Sequence, residues 1–187
     1  MAKPLRTFVV SRFARDERAA LSVEAAVMLP LLAALYVAGI VWFDALRREA
    51  AITRASYVVG DLLSRRTGTV TVTDIEGLKA VFETMTGTQN RTWIRVTELI
   101  RCTDGLRVAW THATDDKPVM TQSRLSGHLS QVPALSEGER IVITESFSDY
   151  DPVFNVGLDK RLAATFTPTR TRSGGRLVWQ EPSAGCP

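Results

Sequence analysis

The chain has 187 residues, two cysteines and a formal charge of +3, which allows one modest domain and an appendage. Its basic excess lies wholly in residues 1–19, where Lys3, Arg6, Arg12, Arg15 and Arg18 outnumber Asp16 and Glu17. The remaining body is neutral, and a nucleic-acid partner is set aside, because such a domain needs positive charge clustered on one folded face.

From Ala25 to Phe43 the chain carries no charge. The roughly 20 residues needed to cross about 30 Å of hydrocarbon are nearly all there. Tyr36, Trp42 and Phe43 lie toward the C-terminal end of this run, and Trp and Tyr suit a membrane interface. Lys and Arg crowd its N-terminal flank, which places the N-terminus in the cytoplasm. A secretory signal peptide fits poorly, because the apolar stretch exceeds a signal's hydrophobic region and no Ala-x-Ala site closes it. Glu24 sits at the N-terminal edge of the stretch. A carboxylate at bilayer depth costs about 2–3 kcal/mol, so it either reaches the headgroups or has a partner. Pro30 removes a backbone donor and crowds the carbonyl of Ala26, so a kink is expected there.

The helical pattern continues through Arg66. Ile52, Ala55, Val59 and Leu62 recur on one face, widened by Val58 and Leu63. One helix from Leu21 to Arg66 would be about 70 Å long; the alternative is two helices joined near Asp44. Thr67-Gly68 ends it. Thr73 and Glu76 form a capping-box pattern for a second helix over 74–86, with Ile75, Leu78, Phe82 and Met85 on one face and Gly77 weakening it.

Strands follow. In Trp93–Cys102 the apolar Ile94, Val96, Ile100 and Cys102 alternate with Arg95, Thr97 and Arg101. Thr103-Asp104-Gly105 reads as a three-residue hairpin loop, with Gly105 supplying positive φ. That register pairs Cys102 with Leu106, Ile100 with Val108 and Glu98 with Trp110. Arg140–Tyr150 reads as a third strand, with Ile141, Ile143 and Phe147 on one face. Leu162–Thr167 and Leu177–Trp179 are candidates for two more. Residues 114–138, with Pro118 and Pro133, read as loop. The fold class is therefore α+β, a long N-terminal helix packed on a small antiparallel sheet.

Cys102 and Cys186 are expected to form a disulfide if the domain is exported, closing a loop of about 85 residues. No enzyme constellation stands out. His112 and His128 are sixteen residues apart with no local cysteine, so no zinc site is expected. Asp115-Asp116 reads as a solvated turn. The spacing of Asp149, Asp151 and Asp159 matches no calcium loop. No cofactor and no metal site are expected, and the chain reads as a non-enzyme.

The stretch Arg15-Asp-Glu-Arg-Ala-Ala-Leu-Ser-Val-Glu24-Ala-Ala-Val-Met-Leu-Pro30-Leu-Leu resembles the start of TadE-like pseudopilins of the tight-adherence (Tad/Flp) pilus. The shared features are a charged leader, a small residue before the cut, a glutamate fifth in the mature chain and an apolar helix with a Leu-Pro pair. The resemblance implies a processing site between Ala19 and Ala20, cut by a prepilin peptidase. Ala19 stands where glycine is usual, and Ala25 where phenylalanine is usual. It also implies that Glu24 acts in assembly, pairing with the freed amine of a neighbouring subunit, an attraction strengthened by low dielectric. The implied protein is a minor subunit or assembly factor. It sits in the bacterial inner membrane as a single-pass protein, with residues 1–19 as cytoplasmic leader, 20–66 as transmembrane helix and extension, and 67–187 as a periplasmic or extracellular domain. Its implied partners are other pilins or pseudopilins, the Tad assembly machinery and membrane lipid. The alternative is an uncleaved single-pass protein whose periplasmic domain binds a ligand or scaffolds a complex.

Overall fold

The computed structural model describes residues 17–89, 91–152, 154, 156–172 and 175–186. Most of the basic leader, residues 1–16, lies outside the described residues. Helix α1 spans Glu17–Ser64 without interruption and contains Pro30, as the continuous reading expects; the alternative of two helices joined near Asp44 does not occur. Contacts group residues up to Asp44 with 153–158 as one unit, and Ala45–Pro152 with Asp159–Pro187 as a second. In the first unit most apolar side chains stand exposed, Leu29 at 69% and Tyr36 at 72%, whereas Val41 is buried.

The second unit begins with the last five turns of α1. Its buried face is Ile52, Ala55, Val59 and Leu63. Leu62, expected on this face, and Val58 are instead largely exposed. A step of four residues from Val59 keeps Leu63 over the core, whereas a step of three rotates Leu62 toward solvent. Helix α2, Val72–Thr86, starts two residues earlier than expected. Its cap is Thr71, paired reciprocally with Asp74 rather than Thr73 with Glu76. The Asp74 carboxylate accepts the Thr71 N–H at 3.0 Å, the reciprocal arrangement of a capping box. Gly87, in the left-handed region at φ 68°, closes the helix, as glycine does most easily. Ile75 and Phe82 are buried, while Met85 is exposed.

Four antiparallel strands follow: β1 Thr92–Cys102, β2 Gly105–Ala113, β3 Arg140–Tyr150 and β4 Arg161–Thr169, in spatial order β2-β1-β3-β4. Between β2 and β3, where only loop was expected, lie the short helix α3, Gln122–Leu125, and a 3-10 turn over Ser126–Gln131. Leu177–Trp179 adds no strand to the sheet; Trp179 forms a single parallel bridge with Val70.

The β1–β2 hairpin corrects the expected register. Its turn has two residues, pairing Cys102 with Gly105, Ile100 with Arg107 and Leu99 with Val108. A bulge between Glu98 and Leu99 then restores Glu98 to Trp110. One extra β2 residue absorbs the slip that would otherwise send every later side chain to the wrong face. Gly105 does supply positive φ, at 137°.

The sheet is covered on both sides. One face carries Ile94, Val96, Ile100, Trp110 and Val142 against α1 and α2. The other carries Leu99, Ile141 and Ile143 against Met120 and Leu125. β4 is an edge strand, and Pro168 near its end suits an edge, having no N–H for a further ladder.

Where α1 crosses the sheet, the contact is close and polar. Ser56 Oγ lies 2.5 Å from Ser146 Oγ and 2.8 Å from Thr165 Oγ1. One turn on, a Cβ at Gly60 would stand 2.7 Å from Thr169 Oγ1. Alanine at Gly60 would gain up to about 1 kcal/mol of helix propensity but overlap a stiff, β-branched side chain, at about 1–3 kcal/mol. Gly60→Ala should therefore lower the melting temperature followed by circular dichroism. In a Thr169→Ala background the same change should be neutral or stabilising. Equal effects in both backgrounds would show that the close approach does not constrain position 60.

Candidate functional site

The residues singled out by the sequence fall into separate regions. Ala19 and Ala20 lie within the first turn of α1, since the helix begins at Glu17. Glu24, one turn further, is exposed and makes no ion pair with a described residue. Pro30 is likewise exposed. α1 is the one helix among the described residues long and apolar enough to cross a membrane.

Cys102 and Cys186 form the expected disulfide, with Cα atoms 5.5 Å apart and a sequence separation of 84. It is the last of a series of attachments holding the C-terminal strap to the sheet. Val70 N–H donates to the Val178 carbonyl at 2.7 Å, and Gln180 N–H returns to the Val70 carbonyl at 3.0 Å. Trp110 Nε1–H donates to the Leu177 carbonyl at 3.1 Å, and the Trp110 and Trp179 rings stack with centroids 4.7 Å apart. Ala184 N–H donates to the carbonyl of Ala109, beside the bulge.

Three buried charged groups central to this head were not expected. Glu98 is fully buried. Its carboxylate accepts Leu177 N–H at 2.7 Å and Arg140 Nη1–H at 2.8 Å. Burial pushes its pKa above the ordinary glutamate value of 4.5, against the opposing pull of the Leu177 N–H and Arg140. On the other face, Arg95 forms a two-pronged pair with Glu145 at 2.6 and 2.7 Å, both side chains about 5% exposed or less. Arg95 also donates to the Pro118 carbonyl at 2.8 Å. Strand alternation set Arg95 on the polar side of β1, with Thr97 and Arg101, and gave no sign of its burial. The signal against that reading was Leu99, an apolar residue on the same face, with Ile141 and Ile143 beside it on β3.

The remaining candidates are not brought together. His112 lies against Trp179, and His128 stacks on Phe166, on opposite faces of the sheet. Asp115 and Asp116 both adopt positive φ in an exposed turn, and Asp115 pairs with Lys79 at 2.6 Å. Asp151 pairs with Lys160. Among the described residues, no group of three or more His, Cys, Asp or Glu is placed to hold a metal ion. The chain matches no known family model, no curated protein and no solved structure.

Two measurements probe the strap. Cys186→Ser should destabilise the head by about 2–5 kcal/mol in a denaturant titration, and reductant should lower the stability of the parent but not of the variant. For Glu98, a raised folded-state pKa means that the folded chain holds the proton more tightly than the unfolded one. Its contribution is fully present below pH 4.5 and is lost as pH rises through the folded value. The difference in stability between parent and Glu98→Gln should therefore shift against the parent as pH rises above 4.5. A difference independent of pH would show that Glu98 titrates alike in both states.

Proposed function

We propose that the chain is a pseudopilin-like minor subunit or assembly factor of a Tad/Flp-type pilus. α1 inserts it in a bacterial inner membrane, with the leader inside and the disulfide-closed head exported. The observation that carries this reading is the single helix α1. It contains the Val23-Glu24 and Leu29-Pro30 pairs, leaves its apolar first part unburied and continues into the packing core of the head. The Cys102–Cys186 disulfide supports export, since such bonds persist in oxidising compartments.

Glu24 has a physical role in this reading. Removal of residues 1–19 would leave Ala20 as the helix N-terminus, with Glu24 about one turn inside it. The N-terminal end of a helix carries partial positive charge, and the freed amine adds a full one. An exposed Glu24 can answer the amine of a neighbouring subunit where low dielectric strengthens the attraction.

One observation favours the second reading, an uncleaved single-pass anchor. The Ala19–Ala20 bond lies inside the first helical turn, so a peptidase would have to unwind that turn. The first turn lacks acceptors for its N–H groups and opens most easily.

The test is N-terminal sequencing and intact mass of membrane-extracted protein, from cells with and without a prepilin peptidase. The pilus reading expects a terminus at Ala20 only where the peptidase is present. A chain starting at Met1 or Ala2 in both strains would favour the uncleaved anchor. Glu24→Ala should then still insert, because removing the charge lowers the cost of insertion by about 2–3 kcal/mol, but should abolish assembly. Normal assembly of the variant would rule out this role for Glu24.

A further inference from the structure

Where β1 starts and β3 ends, the head carries a cleft that neither the strap nor α1's apolar face fills. It consists of two adjoining hollows of about 380 and about 550 Å³ that share Arg91, Asp149 and Leu162. Each lies within the range of about 300–1,000 Å³ typical of small-ligand pockets.

Trp93 lines the larger hollow. One face of its ring stacks on Phe147, with centroids 3.6 Å apart and planes at 7°. The Arg95 guanidinium lies 5.7 Å from the Trp93 centroid and 5.4 Å from that of Phe147, and Glu145 holds that guanidinium in place. The indole is therefore held before any ligand arrives, so stacking on it costs little side-chain entropy.

The polar groups around this ring are of both signs. Among the described residues, Arg91, Lys117 and Asp149 form no ion pair, although all three line the larger hollow. Asp115, on its rim, is held at φ 56° and the adjacent Asp116 at φ 52°. Consecutive non-glycine residues in this region are uncommon, and such backbone concentrates at functional sites. In the smaller hollow, Tyr150 is 6% exposed and its hydroxyl has no hydrogen-bond partner among the described residues.

This pattern discriminates between ligand classes. A polyanion selects a field of one sign, but here Asp149 and Asp151 stand among Arg91, Lys160 and Arg161. An apolar ligand would strip water from these charges without replacing its hydrogen bonds. A sugar ring presents hydroxyls that donate and accept around its rim and a C–H face that stacks on an indole. We propose that the cleft binds a neutral saccharide, with Trp93 as the stacking platform, Asp149 accepting from sugar hydroxyls, and Arg91 and Lys117 donating to them. The site stands whether or not the chain enters a pilus.

The test is calorimetric titration of the full-length chain in detergent with maltohexaose, cellohexaose and chitohexaose, with oligogalacturonate and inorganic phosphate as anionic probes. At least one neutral oligosaccharide should bind with a Kd of about 1 mM or tighter. Trp93→Ala should weaken it about tenfold, while Trp93→Phe retains most of the affinity. Asp149→Asn, at an exposed position, should weaken binding with the melting temperature unchanged, which separates loss of the site from loss of the fold. The proposal is overturned if no neutral probe binds, if only the anionic probes bind, or if Trp93→Ala binds as the parent does.

Discussion

The rest of the head depends on the close crossing of α1 over the four-stranded sheet. From Ile52 to Leu63 one face of the helix is buried, and each large aliphatic side chain so buried contributes about 1.5–3 kcal/mol. Helix and sheet approach closely because Gly60 has no side chain at the contact with Thr169. Ser56, at the same crossing, satisfies its hydroxyl against Ser146 and Thr165, where an unpaired buried hydroxyl would cost about 1–3 kcal/mol. A small residue and a polar one thus make the seam, and the large apolar residues on either side supply its adhesion.

A second constraint closes the other end of the chain. The strap from Leu177 to Cys186 buries Leu177 and Trp179 in the core and leaves most of its other described side chains exposed. It is tied by backbone pairing to Val70 and Ala109, by Glu98 and Trp110, and finally by the disulfide. Glu98 accepts burial in exchange for two charge-assisted or backbone bonds. Such an arrangement specifies geometry more than it adds stability, because desolvating the charge offsets much of the attraction. The same holds for Arg95 and Glu145, which fix the position of Trp93 from behind.

In the pilus reading, these features belong to a head that the chain exports. The head carries its own hydrogen bonds and disulfide, and most apolar side chains in the first part of α1 are exposed. In the same reading Glu24 lies there too, where charge is tolerated only if another subunit answers it.

The sequence by itself determined the elements with strong periodicity. The long apolar helix, β3 with its limits, the α+β order and the pairing of the two cysteines were legible, because each follows from local spacing, charge or count. The Glu24–Pro30 pattern was legible too, as a motif. Only the tertiary structure decided the rest. Whether Leu62 or Leu63 enters the core depends on where the sheet meets the helix. The hairpin register depends on a bulge that alternation cannot display, since one extra residue leaves both flanking patterns intact. Arg95 and Glu98 read as ordinary strand residues until residues 114–138 and the C-terminal strap fold over them. Burial from both sides is set by segments distant in sequence, so no local pattern could announce it.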